Sequence, residues 1–440
     1  MRVLVVGGGA REHAICNAVS ESDAELYSFM KNANPGIKRM AKDYMLHDER
    51  DVEKVLSYAL DKKIDLVVIG PEAPEEAGVA DALQKHSIPV ASPTKAAAEI
   101  ETNKEFMRSL MEKHRIPGNV RCRAFSSVDM AQEFIEMLDG EVAVKPLGLT
   151  GGKGVKLAGD HFHTIREAVA YAGEVIEREI GGAHKVLIEE KIVGEEFTLQ
   201  AFCDGSTIYP MPSVQDHKRL LPGDRGPNTG GMGSYSHRSG LLPFMQPSDY
   251  EEAATILQKI IEALKREGRE YRGTIYGQFM LTGDGVKVVE INARFGDPEA
   301  MNVLPLLKTN FVDICMAMVE GSLSRKRIAF DKKSTVCKYV VPQGYGVKSE
   351  AGKEIRVDEE AIQRAGGLLF YASVNEENGK IYTTTSRSLA VVGIADEITE
   401  AEIICERCLQ HVSGDIFIRH DIGTQELLER RISHMAMLRG

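Results

Sequence analysis

No apolar run in this chain of 440 residues approaches the ~18 residues of a bilayer-crossing helix, so no membrane span is expected. No run of five Lys or Arg occurs, and the net charge is −11. A protein of that sign is not built to bind nucleic acid, and if it handles phosphates it must gather its cations locally. Seven cysteines are present: Cys16, Cys122, Cys203, Cys315, Cys337, Cys405 and Cys408. Cys405 and Cys408 stand close together, but no second pair completes a metal site. The seven are expected to be reduced thiols of a cytoplasmic protein, not a disulfide framework. The chain opens directly on a strand pattern, with no secretory leader expected before it.

The rest of the composition is ordinary for a globular enzyme, with 43% hydrophobic and 27% charged residues. Its length exceeds what one core supports, so two to four domains are expected. Residues 1–103 alternate short apolar runs (Val3–Val6, Asp65–Ile69, Ile88–Ala91) with helical patterns. This predicts a doubly wound parallel α/β sheet, whose ligands bind beyond the strand carboxyl ends. Gly7-Gly8-Gly9 and Gly70-Pro71-Glu72 both fall there. A new unit begins at Thr102, which with Glu105 makes a capping-box pattern for a helix stopped at Ile116-Pro117-Gly118. Strands are expected at 141–145, 155–157, 185–189, 197–203 and 207–211, a helix near 163–179, another near 248–267, and a hairpin over 273–292. Residues 212–247 are Gly-, Pro-, Ser- and Asn-rich and too long for an idle connection.

The densest chemistry lies in VKVVEINARFGDPE, residues 286–299. Val286, Val288, Glu290, Asn292 and Arg294 alternate with Lys287, Val289, Ile291 and Ala293. On a strand, this predicts a carboxylate, a carboxamide and a guanidinium on one face. Glu290 and Asn292 suit Mg²⁺, and Arg294 can clamp an anion beside it. A half-buried strand with a solvated polar face fits the same pattern. If Gly283-Asp284-Gly285 is a three-residue loop, Gln278 stands opposite Glu290 as a third ligand. A two-residue Asp-Gly turn would put it opposite Ile291.

Other segments point the same way. In VGGGAREH the third glycine of a dinucleotide fingerprint is replaced by Glu12, which leaves a phosphate cradle with Arg11 nearby. AVKPLGLTGGKGV joins strand to strand through a glycine loop flanked by Lys145 and Lys153. It can fold over a triphosphate, though it is not a Walker loop. KVLIEEKIVGEE ends a strand in carboxylates, where backbone at Glu190–Ile192 could meet an adenine edge and Glu195 or Glu196 a ribose. Residues 213–236 concentrate Asp216, His217, Lys218, Arg219, Arg225 and Asn228 among glycines and can wrap a small anionic substrate.

A glycine-rich lid with two lysines, a carboxylate hinge and a terminal E-x-N-x-R resemble an ATP-grasp ligase. GGAREHA, GPEAP, GGKGV, QDHKR, GPNTGGMG and ARFGDPE, in this order, resemble the phosphoribosylamine–glycine ligase family over essentially the whole chain. The resemblance implies an α/β pre-domain over 1–103, an ATP-grasp domain over 104–320 with its lid at about 119–192, and a C-terminal α+β domain over 325–440. It implies ligation of glycine to 5-phosphoribosylamine with ATP and Mg²⁺ or Mn²⁺, by a monomer or homodimer without fused later enzymes. In the implied roles, Glu290 and Asn292, with Gln278, bind metal, and Lys104, Lys145 and Lys153 meet phosphates. Glu189, Glu190, Lys191, Ile192, Glu195 and Glu196 hold adenosine, and Arg294 stabilises the transferred group. Gly9, Arg11, Glu12, Pro71 and Glu72 face phosphoribosylamine, with Asp216, Lys218, Asn228, Thr229 and Gly230 completing the amine and glycine pockets. Two positions depart from the family: Leu147 replaces an acidic residue, and Gly346 replaces proline.

Overall fold

The structure, a computed structural model, describes residues 1–148 and 154–440. Its N-terminal part is a four-stranded parallel sheet in the order Asp43–Leu46, Glu25–Met30, Arg2–Val6, Leu66–Ile69. The chain winds outward through the first three strands and then returns to the other side of Arg2–Val6. The carboxyl ends of Arg2–Val6 and Leu66–Ile69 therefore flank the switch point, where Gly7–Gly9 and Pro71-Glu72 emerge. Ile88–Ala91 does not become a full fifth strand. It contributes a single parallel bridge, Val67 to Val90, next to Pro89, which has no N–H for a ladder.

The helix beginning at Lys104 is capped differently from the Thr102 expectation. Thr102 ends the preceding helix Lys95–Thr102, and the Asn103 side chain accepts from Phe106 N at the start of Lys104–Lys113. Asn103 has extended backbone and a short acceptor, which is what an N-cap needs. The lid sheet is antiparallel, in the order Cys122–Phe125, Val186–Glu190, Val142–Pro146, Lys156–Leu157. Helices Val128–Met137 and Ile165–Glu177 share its apolar core through Ile135, Val175 and Ile188.

The central sheet carries the polar machinery. Glu195–Asp204 pairs along its length with Arg272–Thr282, which pairs with the edge strand Gly285–Asn292. Helix Pro247–Arg266 buries Ile256, Leu257, Ile260 and Leu264 against Phe279, Leu281, Val286 and Val288. The segment expected to be one long polar loop instead folds into four short strands, Val214–Asp216, Arg219–Leu221, Arg225–Asn228 and Gly233–Ser236. Gly233–Ser236 then pairs with Ser334–Pro342, so strands of the C-terminal part extend the same sheet. Among the described residues, no helix is long and apolar enough to cross a membrane.

The edge hairpin corrects the expected turn and face. Thr282 pairs with Gly285, so the loop is Gly283-Asp284. That register alone would set Gln278 opposite Val289. A β-bulge adds one residue beyond Val288, and Gln278 meets Glu290 after all. The bulge also breaks the alternation. Val286 and Val288 point into the same core as Ile291 and Ala293, while Glu290 and Asn292 turn to the opposite face. Without it, Glu290 would lie on the side of Val286 and Val288, a carboxylate in an aliphatic core. Arg108 from the neighbouring helix holds the irregular backbone, donating to Val288 O at 2.9 Å and Val289 O at 3.2 Å.

Candidate active site

Glu290 lies amid three lysines brought in by separate elements. Lys218 Nζ sits 3.9 Å from its Oε1 and donates to Gln278 Oε1 at 2.6 Å. Gln278 in turn donates to Glu196 Oε2 at 2.6 Å, and Asn292 Nδ2 stands 3.4 Å from Glu290 Oε1. Burial pushes the Glu290 carboxyl up, but Lys218, Lys104 and Lys145 outweigh it and hold the group at about 2. Burial and the neighbouring Lys145 lower Lys104, against the pull of Glu290; its Nζ donates to Gly148 O at 2.9 Å. Lys153 lies outside the described residues.

Glu189 is engaged by two cations. It is buried, takes a two-pronged bond from Arg108 at 2.7 and 3.0 Å, and pairs with Lys145 at 2.6 Å. Glu190 accepts from Arg121 N and Nε, and the N–H groups of Glu190 and Lys191 go to Arg121 O and Glu141 O. Glu195 and Glu196 point to opposite faces of their strand. Glu195 is bound to His434 at 2.6 Å and Arg431 at 3.2 Å of the last helix, Gln425–Arg439. Only Glu196 shares the face of Gln278 and Lys218. The strand's own period thereby separates the two alternatives for a ribose.

At the switch point, Glu12 is 2% exposed. Its carboxylate takes the Gly9 N–H at 2.6 Å and the Arg11 Nε at 2.5 Å, and a Cβ at Gly70 would collide with it. The side chain that spoils the dinucleotide fingerprint therefore caps the helix and orients Arg11. Arg11 reaches across to Phe295 O at 3.1 Å. Arg294, at the end of the edge strand, pairs with Glu72 at 3.3 Å and Glu101 at 2.9 Å. Burial works against the Glu72 charge, yet Arg294 and Arg11 bring its carboxyl down to about 2. The parallel sheet and the central sheet thus meet at two arginines.

The third wall is the loop 216–231. Asp216 is half-buried and pushed well up by desolvation and by Glu299, which is itself raised mainly by burial and bonded to Tyr276 OH at 2.9 Å. Thr229 returns both N and Oγ1 to Lys218 O at 2.8 Å, and Asn228 pairs with Arg219 across the short hairpin. Gly230 lies beside Tyr345 OH, 3.4 Å from its N. Arg387 donates to Gly230 O at 2.6 Å and Asp297 O at 3.0 Å while stacking on Tyr339. Leu147 is buried, and its carbonyl accepts from Lys104 N at 3.2 Å. Gly346 adopts φ +82°, a conformation closed to proline, beside the Thr229 side chain.

Sequence reasoning missed Arg108, Glu101, Asp297, Glu299 and Arg387. Asp297 and Glu299 stood inside a motif already singled out. Arg387 carries no local signal, being 90 residues from Asp297 and 157 from Gly230.

Residues 1–101, 102–300 and 335–425 match the N, ATP-grasp (A) and C domain profiles of phosphoribosylglycinamide synthetase. The chain belongs to the phosphoribosylglycinamide synthetase family. It is 53% identical over 439 residues, covering all of both chains, to a phosphoribosylamine–glycine ligase of Methanothermobacter thermautotrophicus. The like-named protein of Methanobrevibacter smithii is 49% identical over 99% of each chain. The crystal structure of the family's Thermotoga maritima ligase superposes with a TM-score of 0.81 at 29% identity, over 96% of this chain and 100% of that one. A biotin carboxylase domain from Hydrogenobacter thermophilus, crystallised with ADP and magnesium, reaches 0.72 at 15% identity over 99% of this chain and 93% of its own. That likeness speaks for the fold alone.

Proposed function

We propose that this chain's own residues divide the work of a phosphoribosylamine–glycine ligase as follows. The reaction joins glycine to 5-phosphoribosylamine, driven by ATP, and yields glycinamide ribonucleotide, ADP and phosphate in purine biosynthesis. A carboxylate is a poor electrophile, so glycine first takes the γ-phosphoryl group to become glycyl phosphate. The amine then attacks its carbonyl carbon; the C–N bond forms, and phosphate leaves with the C–O electron pair. Catalysis is positioning and charge neutralisation.

ATP-grasp enzymes take ATP with a divalent cation. The donors here fit one. Glu290 and Asn292 offer hard oxygens on a polar face, and among the described residues no three His, Cys, Asp or Glu side chains form a self-sufficient site. That suits Mg²⁺, or Mn²⁺ on the same oxygens, completed by phosphates. Gln278, tied to Lys218 and Glu196, supports this pair from the neighbouring strand. The bound cation would neutralise phosphate charge. Lys104 and Lys145 meet the phosphate tail, and Lys153 supplies a further cation to it. Ile192 N–H and the carbonyls of the Glu190–Lys191 turn meet the base, since the N–H groups of Glu190 and Lys191 are already committed. Glu196 is the carboxylate available to the sugar.

Arg294 receives the transferred phosphoryl group, then the acyl phosphate. Gly9, Arg11, Pro71 and Glu72 shape the phosphoribosylamine pocket, with Glu12 fixing Arg11 in place. Asp216, Lys218, Asn228, Thr229 and Gly230 enclose glycine and the attacking amine. We place the enzyme in the cytoplasm, as a monomer or homodimer.

One observation carries the arrangement. The edge strand that presents Glu290 to three lysines leads, two residues past its end at Asn292, to Arg294, which touches Glu72 of the switch point, so nucleotide and amine pockets share one strand end. The test is ADP release with glycine, Mg²⁺ATP and phosphoribosylamine made in place from ribose 5-phosphate and ammonia. ADP that requires both acceptors, with glycinamide ribonucleotide found by mass, supports the reading. ATP binding without turnover under any amine overturns it.

A further inference from the structure

Arg294 has two carboxylate partners of unequal character. Glu72 is 3.3 Å away with its side chain 35% exposed, whereas Glu101 is 2.9 Å away with its side chain 3% exposed. Glu101 sits in the last turn of helix Lys95–Thr102 and has a second bond. Its Oε2 accepts the backbone N–H of Ala293 at 2.6 Å, while Oε1 faces the Arg294 guanidinium. One buried carboxylate thus grips two consecutive residues, one by main chain and one by side chain. Arg294 Nη1 also donates to Phe295 O at 3.2 Å.

We propose that Glu101 is a positioning residue that fixes Arg294 at the strand end, leaving Glu72 as the partner that incoming substrate exchanges for. The assignment rests on the reading of Arg294 given above. Two facts support the division. Glu72 emerges on the pocket side of the switch point, where an anionic substrate can replace it. Glu101 is walled in, with Arg294 in front and the apolar Ile100 and Ala98 of its own helix packed into the core.

Behind this pair lies Glu75, 1% exposed, neither of whose oxygens meets a partner among the described residues. It borders a cavity of about 10 Å³ lined also by Ser92, Thr274 and Arg294, space for about one water. Burial, reinforced by Glu101, pushes the Glu75 carboxyl well up, so it stays neutral. A second buried anion there would compete for Arg294. A neutral Glu75 leaves Glu101 as the buried carboxylate facing the guanidinium; burial raises Glu101 as well, to about 7, with Arg294 pulling against it, and the 2.9 Å contact pairs the two.

The test is a double-mutant cycle on steady-state ADP release, with Glu101→Gln, Arg294→Lys and the double variant. Glutamine keeps an acceptor for Ala293 N–H but removes the charge that aims Arg294. The expected result for Glu101→Gln is a kcat about 100-fold lower, the scale of a misplaced catalytic group. KM for ATP should stay within about threefold, because Lys104, Lys145 and Lys218 are untouched. The double variant should fall no more than about threefold below Arg294→Lys alone.

Losses that multiply across the cycle, or a Glu101→Gln kcat near wild type, overturn the proposal. An Arg294→Lys enzyme with wild-type kcat overturns the reading of Arg294 itself, a distinguishable outcome. If Glu101→Gln does not fold, as judged by its thermal transition, Glu101→Asp enters the same cycle. It keeps the charge one methylene short, and an intermediate loss with the same non-additivity is expected; multiplicative losses again refute the idea.

Discussion

Replacing Glu189 by glutamine tests how the site is held together. Glu189 is buried to 3%, against Arg108 at 3% and Lys145 at 8%, and it is their common counter-ion. Glutamine preserves shape but leaves two cations facing each other in a low-dielectric site. Breaking a buried pair from one side costs about 3–5 kcal/mol. A second route gives a similar figure. Burial raises the Glu189 carboxyl, but Arg108 and Lys145 bring it from 4.5 down to about 2, and that difference is worth about 3 kcal/mol. Because the folded value is depressed, this stabilisation is present above the unfolded value near 4.5 and is lost as pH falls through 2. Urea unfolding at pH 7 should therefore show Glu189→Gln destabilised by about 3–5 kcal/mol, with the gap narrowing below pH 4.5. A loss under about 1 kcal/mol at pH 7, the level of an exposed pair, would refute the claim that the network is buried and mutually compensated.

Glu290→Ala should lower ADP formation by about 10²–10³-fold or more while leaving the thermal midpoint close to wild type, and EDTA should mimic it; near-normal turnover would contradict the metal assignment. Asn103→Ala should cost about 1 kcal/mol in denaturant unfolding and Thr102→Ala under about 0.5 kcal/mol; the reverse order would restore Thr102 as the cap. Gly346→Pro should destabilise by more than about 1 kcal/mol, because proline cannot adopt the φ of +82° found there, and it should raise the KM for glycine by displacing Tyr345 from Gly230. An unchanged KM would separate that turn from the pocket.

Motif chemistry was legible where function and local pattern coincide. The carboxylate–carboxamide–guanidinium series, the glycine loop after the first strand and the lysine before the lid are each singled out from residue type, and the structure brings them into one region. The alternating α/β pattern of residues 1–103 likewise announced a parallel sheet, because buried strands need continuous apolar runs. What local pattern could not convey was which atoms satisfy which. Glu12 read as a missing glycine; in three dimensions it is the cap of Gly9. Glu195 and Glu196 read as interchangeable alternatives; the strand sends them to opposite faces, one toward a helix more than 230 residues later.

The sequence by itself determined the family, the chemistry available and the parallel order of the first domain, since these depend on residue type at short spacing. Only the tertiary structure decided the face on which Glu290 acts. That choice rests on a single extra residue in the edge strand, held by the Arg108 guanidinium of a distant helix against carbonyls whose partners were shifted out of register. A bulge has no signature in a period of two. It exists because burying Val286, Val288 and Ile291 together while keeping Glu290 out of the core requires it.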